Sequence, residues 1–134
     1  MAAGIDDEPF FFDTGATSHI SPVKGDFVEL KPIAPRNIRG VNGIASPAIG
    51  TGLIKLRCSK GRNLTLRDTL YAPQAALHLI SVGRLGDEGY TMTFDAQCCC
   101  VVHSSKIMAQ GAHEDRSLYR LQGSTNTVEQ ANIA

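Results

Sequence analysis

The sequence predicts an all-β domain with one short helix. Thirteen glycines and six prolines divide the chain into short runs, and these runs are rich in the β-branched and aromatic residues that favour strands. Several runs alternate between apolar and polar residues, which is the period of a strand with one solvated face. With 134 residues the chain fits one domain and can bury a core without a disulfide or a metal.

The first half of the chain predicts a buried strand and a long hairpin. Residues 10–12 are all phenylalanine, so this strand is apolar on both faces, as in a strand buried on both sides. A second strand is predicted at 28–31. The runs 37–39 and 48–57 flank a glycine-bearing stretch and therefore predict a hairpin.

The second half predicts further strands around the helix. The run 64–73 alternates, which places Leu64, Leu66 and Asp68 on one face. The short helix is predicted at 84–89, where two glycines keep it brief. The remaining strands are predicted at 78–83, at 90–94 and 98–102 (a hairpin through 95–97) and at 117–121.

The charge balance limits the classes of partner. Lys+Arg and Asp+Glu both count 13, so the formal net charge is zero. A neutral chain has little electrostatic attraction for nucleic acid or for an anionic membrane. No apolar run approaches the roughly 18 residues of a membrane helix, and no signal peptide opens the chain. The expectation is a cytoplasmic protein with neither a nucleic-acid nor a membrane partner.

The four cysteines are Cys58 and the run 98–100. On a strand, Cys98 and Cys100 share one face and Cys99 takes the other. A metal site would recruit His103, but no second ligand pair stands at zinc spacing. The cysteines are interpreted as small buried thiols in a reducing compartment, with no metal and no other cofactor.

The most informative stretch places an acid at the end of the most apolar run. Asp13 follows the three phenylalanines, and Thr14 and Gly15 come next. The threonine hydroxyl can hydrogen-bond locally and hold a loop in shape, and a glycine lets backbone and substrate approach without a Cβ in the way. An ordinary strand-to-turn transition uses the same residues, so the tripeptide alone does not distinguish a catalytic loop from a turn.

The context of the tripeptide resembles the retropepsins, the dimeric aspartic proteases of retroelements. Their loop reads as apolar residues followed by Asp-[Thr/Ser]-Gly-Ala, here residues 11–16. A later strand enters a short helix through Gly and often Arg, here residues 81–85. A glycine-bearing flap lies between the two motifs, here residues 40–44. A strand of the dimer sheet follows the helix, here residues 90–94.

The sequence is most similar to copia-type retrotransposon proteases. Their loop continues to a histidine, here Asp13-Thr14-Gly15-Ala16-Thr17-Ser18-His19. The later matches are a Gly-x-Gly strand, an "LYxP" strand end, an "LLSVGxL" segment, a cysteine-bearing hairpin and an "LYxL" strand. They fall at 50–52, 70–73, 79–85, 98–102 and 118–121. The resemblance spans about residues 9 to 121.

This resemblance implies a retropepsin-like acid-protease β-barrel that works as a C2 homodimer and cleaves a Gag-Pol-type polyprotein, its own in the first instance. The chain has one Asp-Thr-Gly loop, so two chains must meet to supply two carboxylates. Such proteins work in the cytoplasm within virus-like particles. The implied catalytic residues are Asp13, Thr14 and Gly15, and the implied substrate-binding residues are Ala16, Gly40, Val41, Asn42, Gly43, Ile44 and Ser81.

The resemblance also divides the chain. We expect an N-terminal arm at residues 1–8 and the protease core at residues 9–94. Residues 95–121 are a C-terminal β extension, expected to widen the dimer interface. Residues 122–134 are a polar tail without a structural period.

Some positions depart from the family pattern. Many retropepsins have Asp after the Ala, paired with the helix arginine, but this chain has Thr17. The partner of Arg84 is therefore open between Asp87 and a main-chain carbonyl. Asp68 and Asp87 are interpreted as surface or salt-bridge acids. His19 is interpreted as a histidine with a structural role, or with a supporting role behind the catalytic residues, rather than as a catalytic base. Two other functions stay open: a non-catalytic, host-retained module for peptide binding or dimerisation, and a purely structural β-barrel segment of a polyprotein.

Overall fold

The computed structural model of the protein describes residues 8–39, 45–58, 62–115 and 118–125. These residues form an all-β fold with one α-helix, as the sequence predicts. None of the helical residues described makes a helix long and apolar enough to cross a bilayer. The elements are β1 (Phe10–Asp13), β2 (Ile20–Ser21), a 3-10 turn (Lys24–Asp26), β3 (Phe27–Arg39), β4 (Ala45–Cys58), β5 (Asn63–Tyr71), β6 (His78–Ser81), α1 (Val82–Asp87), β7 (Thr91–Phe94), β8 (Cys98–His103), β9 (Lys106–Asp115), β10 (Leu118–Leu121) and β11 (Gly123–Thr125).

The strands form one sheet in which β1 occupies an inner position. The order is β11-β4-β5-β2-β6-β1-β10-β9-β8-β7, and β3 pairs with β4 off this path. β1 pairs in parallel with β6 and antiparallel with β10. A strand with a neighbour on each side has its backbone groups satisfied along both edges. The backbone of β1 is therefore held in place up to its last residue, Asp13.

The sheet curves so that its two halves enclose one core. β9 contacts β4 and β5, although several strands separate them in the sheet order. The main cluster therefore combines side chains from both halves of the sheet and from α1. Its buried members are Phe10, Phe12, Ile54, Leu56, Cys58, Leu64, Leu66, Ile80, Leu85, Cys99, Val101, Ala109 and Leu121.

β1 separates this main cluster from a second, smaller one. Phe10 and Phe12 enter the main cluster, whereas Phe11 packs with Leu70 and Leu79 in the second. The prediction that this strand is apolar on both faces is confirmed. Each buried phenylalanine contributes about 1.5–3 kcal/mol through the area that it removes from water. Packing on both faces therefore anchors the strand that carries Asp13.

The long hairpin is present as β3 and β4. The two strands pair antiparallel as far as Arg39 and Ala45. β3 joins two segments that the sequence predicts as separate strands. The register shifts between Pro32 and Arg36, because a proline has no N–H to donate to the ladder. The predicted flap, residues 40–44, lies outside the described residues.

The predicted face of β5 is wrong at Asp68. Leu64 and Leu66 are buried as expected, but Asp68 is exposed, and its φ of 55° lies in the left-handed region. A left-handed residue interrupts the strand alternation, and aspartate tolerates that conformation better than most residues. The next buried side chains are consecutive, Thr69 and Leu70.

The hairpin of β7 and β8 turns at Asp95, as predicted. Asp95 Oδ1 accepts hydrogen bonds from the amides two and three residues ahead, at 2.7 and 2.8 Å. The alternation of the cysteines is also confirmed, since Cys99 is buried and Cys100 is half-buried on the other face. The expectation of buried thiols holds for Cys58 and Cys99 but is wrong for Cys98, which is exposed.

The segment 95–121 completes the sheet of its own chain. β9 is a strand that the sequence does not predict, and it pairs with both β8 and β10. β10 in turn pairs with β1, so this segment covers one edge of the strand that carries Asp13. Its expected contribution to a dimer interface stays a prediction.

The predicted polar tail also differs from the structure, because β11 pairs with β4 over its three residues.

A buried histidine ties together the strands that lead to Asp13. His78 of β6 is 2% exposed, and its Nε2 lies 3.1 Å from Asp26 Oδ2. The same oxygen accepts the Ser21 hydroxyl of β2 at 2.7 Å. The ring of Phe10 lies 4.7 Å from the imidazole, centroid to centroid. These contacts link β1, β2 and β6.

Replacing Gly52 by alanine is expected to destabilise the protein by about 1–3 kcal/mol, the range for overpacking. A Cβ at Gly52 of β4 would lie 1.9 Å from the carbonyl oxygen of Glu29, so β3 and β4 must move apart. Gly86→Ala in α1 is the matched control. A Cβ there meets nothing within 4 Å, and alanine should stabilise the helix by about 0.5–1 kcal/mol. Urea unfolding of the three proteins measures both effects, and unchanged stability of Gly52→Ala contradicts the close approach.

Candidate active site

Asp13 is the last residue of β1. In the sheet register it lies beside Ser81, the last residue of β6, and beside Leu118 of β10. Asp13 is 8% exposed, so this ionisable residue is largely buried at the end of an apolar strand. The residues that follow, Thr14 and Gly15, are exposed. The strand end therefore holds the carboxylate still while the loop beyond it is open to solvent.

The loop between β1 and β2, residues 14–19, is called the Asp13 loop, and it folds back onto the Asp13 carboxylate. Asp13 Oδ1 accepts the Gly15 N–H at 2.8 Å, and the Asp13 carbonyl accepts the Ala16 N–H at 3.4 Å. A Cβ added at Gly15 would lie 3.5 Å from Asp13 Oδ1, which is ordinary van der Waals contact. The packing of the loop therefore does not require glycine at this position.

Ser81 clamps the loop to α1. Its hydroxyl donates to the carbonyl oxygen of Ala16 at 2.7 Å and accepts the Arg84 N–H at 3.1 Å. The second bond makes Ser81 the N-cap of α1, which satisfies one of the unpaired amides of the first turn. Because of this cap the helix begins at Val82, two residues before the predicted start. The side chain is fully buried, so Ser81 supports the loop from behind, and its predicted contact with substrate stays a prediction.

His19 lies behind Ser81. Its Nδ1 accepts the Ser81 N–H at 2.9 Å, so this nitrogen carries no proton and the neutral ring has its hydrogen on Nε2. The residue is fully buried. Nε2 has no hydrogen-bond partner among the residues that the structure describes. The prediction of a structural rather than a catalytic histidine agrees with this position.

The electrostatic surroundings keep His19 neutral. Burial, and to a smaller extent the nearby Arg84 guanidinium, lower the pKa of His19 from 6.5 to about 4, against the opposing effect of Asp68. Arg84 Nη2 lies 3.3 Å from Asp68 Oδ2. Asp68 is thus the partner of the helix arginine, in place of Asp87 or a carbonyl. The interpretation of Asp68 as a surface or salt-bridge acid is confirmed, but the sequence did not identify Arg84 as its partner, because the two residues lie 16 positions apart in different elements.

The structure thus gathers part of the predicted set. Asp13, Gly15, Ala16 and Ser81 are joined by hydrogen bonds, and Thr14 is exposed between them. The predicted flap residues lie outside the described part of the chain. The structure adds His19 to these residues through its bond to Ser81. In the sequence, the signal for His19 is its position as the last residue of the loop motif, residues 13–19.

Other candidate sites have weaker chemistry. An open groove of about 410 Å³ on β3, β4 and β5 is lined by Glu29, Leu30, Lys31, Thr51, Gly52, Leu53, Arg67 and Asp68, none of them from the Asp13 loop. Burial raises the pKa of Cys58 to about 11 and that of Cys99 to about 12, so both remain thiols near neutral pH and are poor metal ligands. Within the described ranges, no three potential ligands gather into a metal site.

His19 should make stability depend on pH. Its pKa is about 4 in the folded protein, below the ordinary value of 6.5 that holds in the unfolded chain, so the unfolded chain binds the proton first as the pH falls. Stability is then unaffected above about pH 7, declines between pH 6.5 and 4, and loses about 3 kcal/mol in total. We expect His19→Asn, which cannot titrate, to lack this decline. Urea unfolding at four pH values compares the two proteins, and parallel curves contradict the account.

A comparison with known protein families adds one match. The family model described as "Pol polyprotein, beta-barrel domain" matches residues 10–90, which is more than half of the chain. The matched range begins with β1 and ends just before β7, so it includes the Asp13 loop, Ser81 and α1. Neither the comparison with curated proteins nor the comparison with solved structures found a match. Because the matched residues contain both the central strand and the helix that braces its loop, the chain belongs to the family of Pol polyprotein beta-barrel domains, from the Pol region of a retroelement.

Proposed function

We propose that this domain is a copia-type aspartic endopeptidase that cleaves the polyprotein of its retroelement. The observation that carries the proposal is the placement of Asp13. The residue is 8% exposed at the end of a strand buried on both faces, and the Gly15 amide donates a hydrogen bond to one of its carboxylate oxygens. A fixed carboxylate beside an open approach suits proton transfer with a bound peptide.

An ordinary turn accounts for less of this geometry. An aspartate that accepts an amide two residues ahead is common in turns, so the bond to Gly15 alone does not discriminate. A turn does not need the Ser81 clamp on Ala16 or the buried His19 behind it. It also does not need a glycine at position 15, where a Cβ would make only ordinary contact. Together these features support a loop shaped for a ligand.

Catalysis by this loop needs a second chain. Asp13-Thr14-Gly15 is the one loop of its type, since Asp68-Thr69 continues into a leucine. We therefore place two protomers about a C2 axis, each bringing one Asp13 to the centre. β7 stands at the end of the sheet order, and an exposed strand edge favours pairing with another strand. This edge supports a shared sheet between the protomers.

The two carboxyls act on a water and a peptide bond. At about 3 Å apart they cannot both be ionised, so they share one proton, as in aspartic proteases generally. The ionised carboxylate takes a proton from the water while the water oxygen attacks the peptide carbonyl carbon. The protonated carboxyl donates to the carbonyl oxygen. The tetrahedral diol then collapses as the C–N bond breaks. The carboxyl that took the proton of the water gives it to the leaving nitrogen, and one diol hydroxyl returns its proton to the other carboxylate, so the pair again shares one proton.

The substrate is proposed to be an extended segment of the same polyprotein, cleaved in the cytoplasm within virus-like particles. In this proposal the flap residues Gly40, Val41, Asn42, Gly43 and Ile44 close over the peptide and exclude water. The Thr14 hydroxyls brace the two loops across the axis, and Ala16 borders the peptide. A formal charge of zero gives no reason to add nucleic acid or membrane to the partners.

Asp13→Asn should abolish peptide cleavage while fold and dimer are retained. The amide fills the same space but cannot take a proton from water, and one general base contributes about 10²-fold or more. Asp87→Asn is the matched control, since Asp87 is an exposed acid of α1 outside the loop and should leave cleavage unchanged. Cleavage of a polyprotein-derived peptide measures both variants. Activity of Asp13→Asn above about a tenth of wild type contradicts the assignment.

The same experiment separates the alternative functions. A non-catalytic module would bind the peptide without cleaving it, whether or not Asp13 is changed. A structural segment of the polyprotein would neither bind nor cleave. Cleavage by the wild type therefore distinguishes the enzyme from both alternatives, and binding of the uncleaved peptide to Asp13→Asn, measured by calorimetry, distinguishes the binding module from the structural segment.

Mixing the wild type with Asp13→Asn tests the shared site. If each active site uses one Asp13 from each chain, random exchange at equal concentrations leaves about a quarter of the dimers active. Independent active sites would leave about half of the activity at the same total concentration. The mixture is assayed after exchange, and sedimentation confirms that dimers are present. Activity at the half level, or a monomer that cleaves, contradicts the dimer.

A further inference from the structure

His19 is a buried ionisable group that the proposed chemistry does not use. It is fully buried, and its Nε2 lacks a hydrogen-bond partner among the described residues. A buried donor without a partner costs stability, and an apolar side chain of similar size would avoid that cost. The other ring nitrogen must therefore bring a compensating advantage.

That advantage is a hydrogen bond to Ser81, the residue that in turn contacts the Asp13 loop. His19 Nδ1 accepts the Ser81 N–H at 2.9 Å, and the Ser81 hydroxyl donates to the Ala16 carbonyl at 2.7 Å. Ser81 also lies beside Asp13 in the parallel register of β1 and β6. The imidazole thus fixes the backbone of the residue that holds the loop from behind.

We propose that His19 is a positioning residue of the active site, whose unprotonated Nδ1 anchors the Ser81 amide and thereby sets the geometry of the Asp13 loop. This inference rests on the proposed protease function. It assigns to His19 no contact with substrate or water. The residue acts through Ser81 and Ala16.

The anchor exists only while the imidazole is neutral. Protonation places a second N–H at Nδ1, facing the Ser81 N–H, so the acceptor is lost and two donors oppose each other. The charged groups that act on the ring are Arg84 of α1 and Asp68 of β5, and burial together with Arg84 lowers the pKa of His19 to about 4. The loop therefore keeps its anchor through mildly acidic conditions and loses it at lower pH.

Two substitutions separate the acceptor from the bulk of the side chain. His19→Asn keeps an acceptor, Oδ1, at the distance from the backbone that Nδ1 occupies, and it does not titrate. His19→Leu has nearly the same size and shape as the asparagine but no acceptor. The pair therefore differs in the one property that the proposal requires.

The first test is the kinetics of peptide cleavage at neutral pH. We expect kcat of His19→Asn to stay within about threefold of wild type, and kcat of His19→Leu to fall about tenfold or more, because loop misplacement weakens the reacting geometry. KM should change little in both, since His19 does not touch the peptide. Circular dichroism and sedimentation establish that both variants are folded dimers. Equal kcat for the two folded variants overturns the proposal.

The second test is the pH profile of kcat/KM. The wild type should lose activity as the pH falls towards 4, where His19 titrates, and His19→Asn should retain its activity to a lower pH. This comparison does not need the leucine variant, so it decides the question even if that variant fails to fold. Identical acid limbs for wild type and His19→Asn overturn the proposal.

The third test does not depend on activity. Hydrogen exchange of the Ser81 and Arg84 amides, followed by NMR in Asp13→Asn backgrounds, reports the bond to His19 and the bond to the Ser81 hydroxyl, and neither bond involves Asp13. We expect these amides to exchange about tenfold faster in His19→Leu than in His19→Asn. If the wild type cleaves no peptide, the proposed function fails, yet this measurement still reads the role of His19. Equal exchange in the two variants overturns that role.

Discussion

The burial of β1 on both faces is the constraint on which the rest of the structure depends. Phe10 and Phe12 lie in the main core and Phe11 lies in the second cluster, so the strand cannot slide or rotate without exposing one set. A one-residue slip would exchange the two faces. β6 and β10 complete its backbone hydrogen bonds on both edges. The residue at its end, Asp13, is therefore placed by hydrophobic packing rather than by the loop that follows.

The loop receives its support from a different source. Behind it stands a chain of polar contacts, from His19 to the Ser81 amide and from the Ser81 hydroxyl to Ala16. The same hydroxyl caps α1, so the helix, the loop and β6 share one residue. A hydroxyl that donates once and accepts once leaves little freedom for any of the three. The site thus has apolar packing beneath it and the hydrogen bonds of Ser81 behind it, and its outer side, at Thr14 and Gly15, is exposed to solvent.

The C-terminal half of the chain has a part in this site that the family resemblance alone would not suggest. β10 pairs directly with β1, and β8 and β9 carry Cys99, Val101 and Ala109 into the main core. Removing them would expose one edge of the strand that carries Asp13 as well as part of its packing. The family match ends at residue 90, yet the core that supports Asp13 extends well past it. The two parts of the chain thus share one hydrophobic core.

The sequence by itself determined the fold class, the doubly buried strand, the long hairpin and the loop motif, because each depends on local pattern and turn chemistry. It could not determine which face of β5 Asp68 occupies or that Arg84 is its partner, since a left-handed residue within a strand interrupts the alternation without any local sign. It also missed β9, whose strand character comes from pairing with β8 and β10 on both sides rather than from its own residues. The bond between His19 and Ser81 joins residues 62 positions apart. Only the tertiary structure decided such contacts, because the packing of distant strands sets which polar atoms meet.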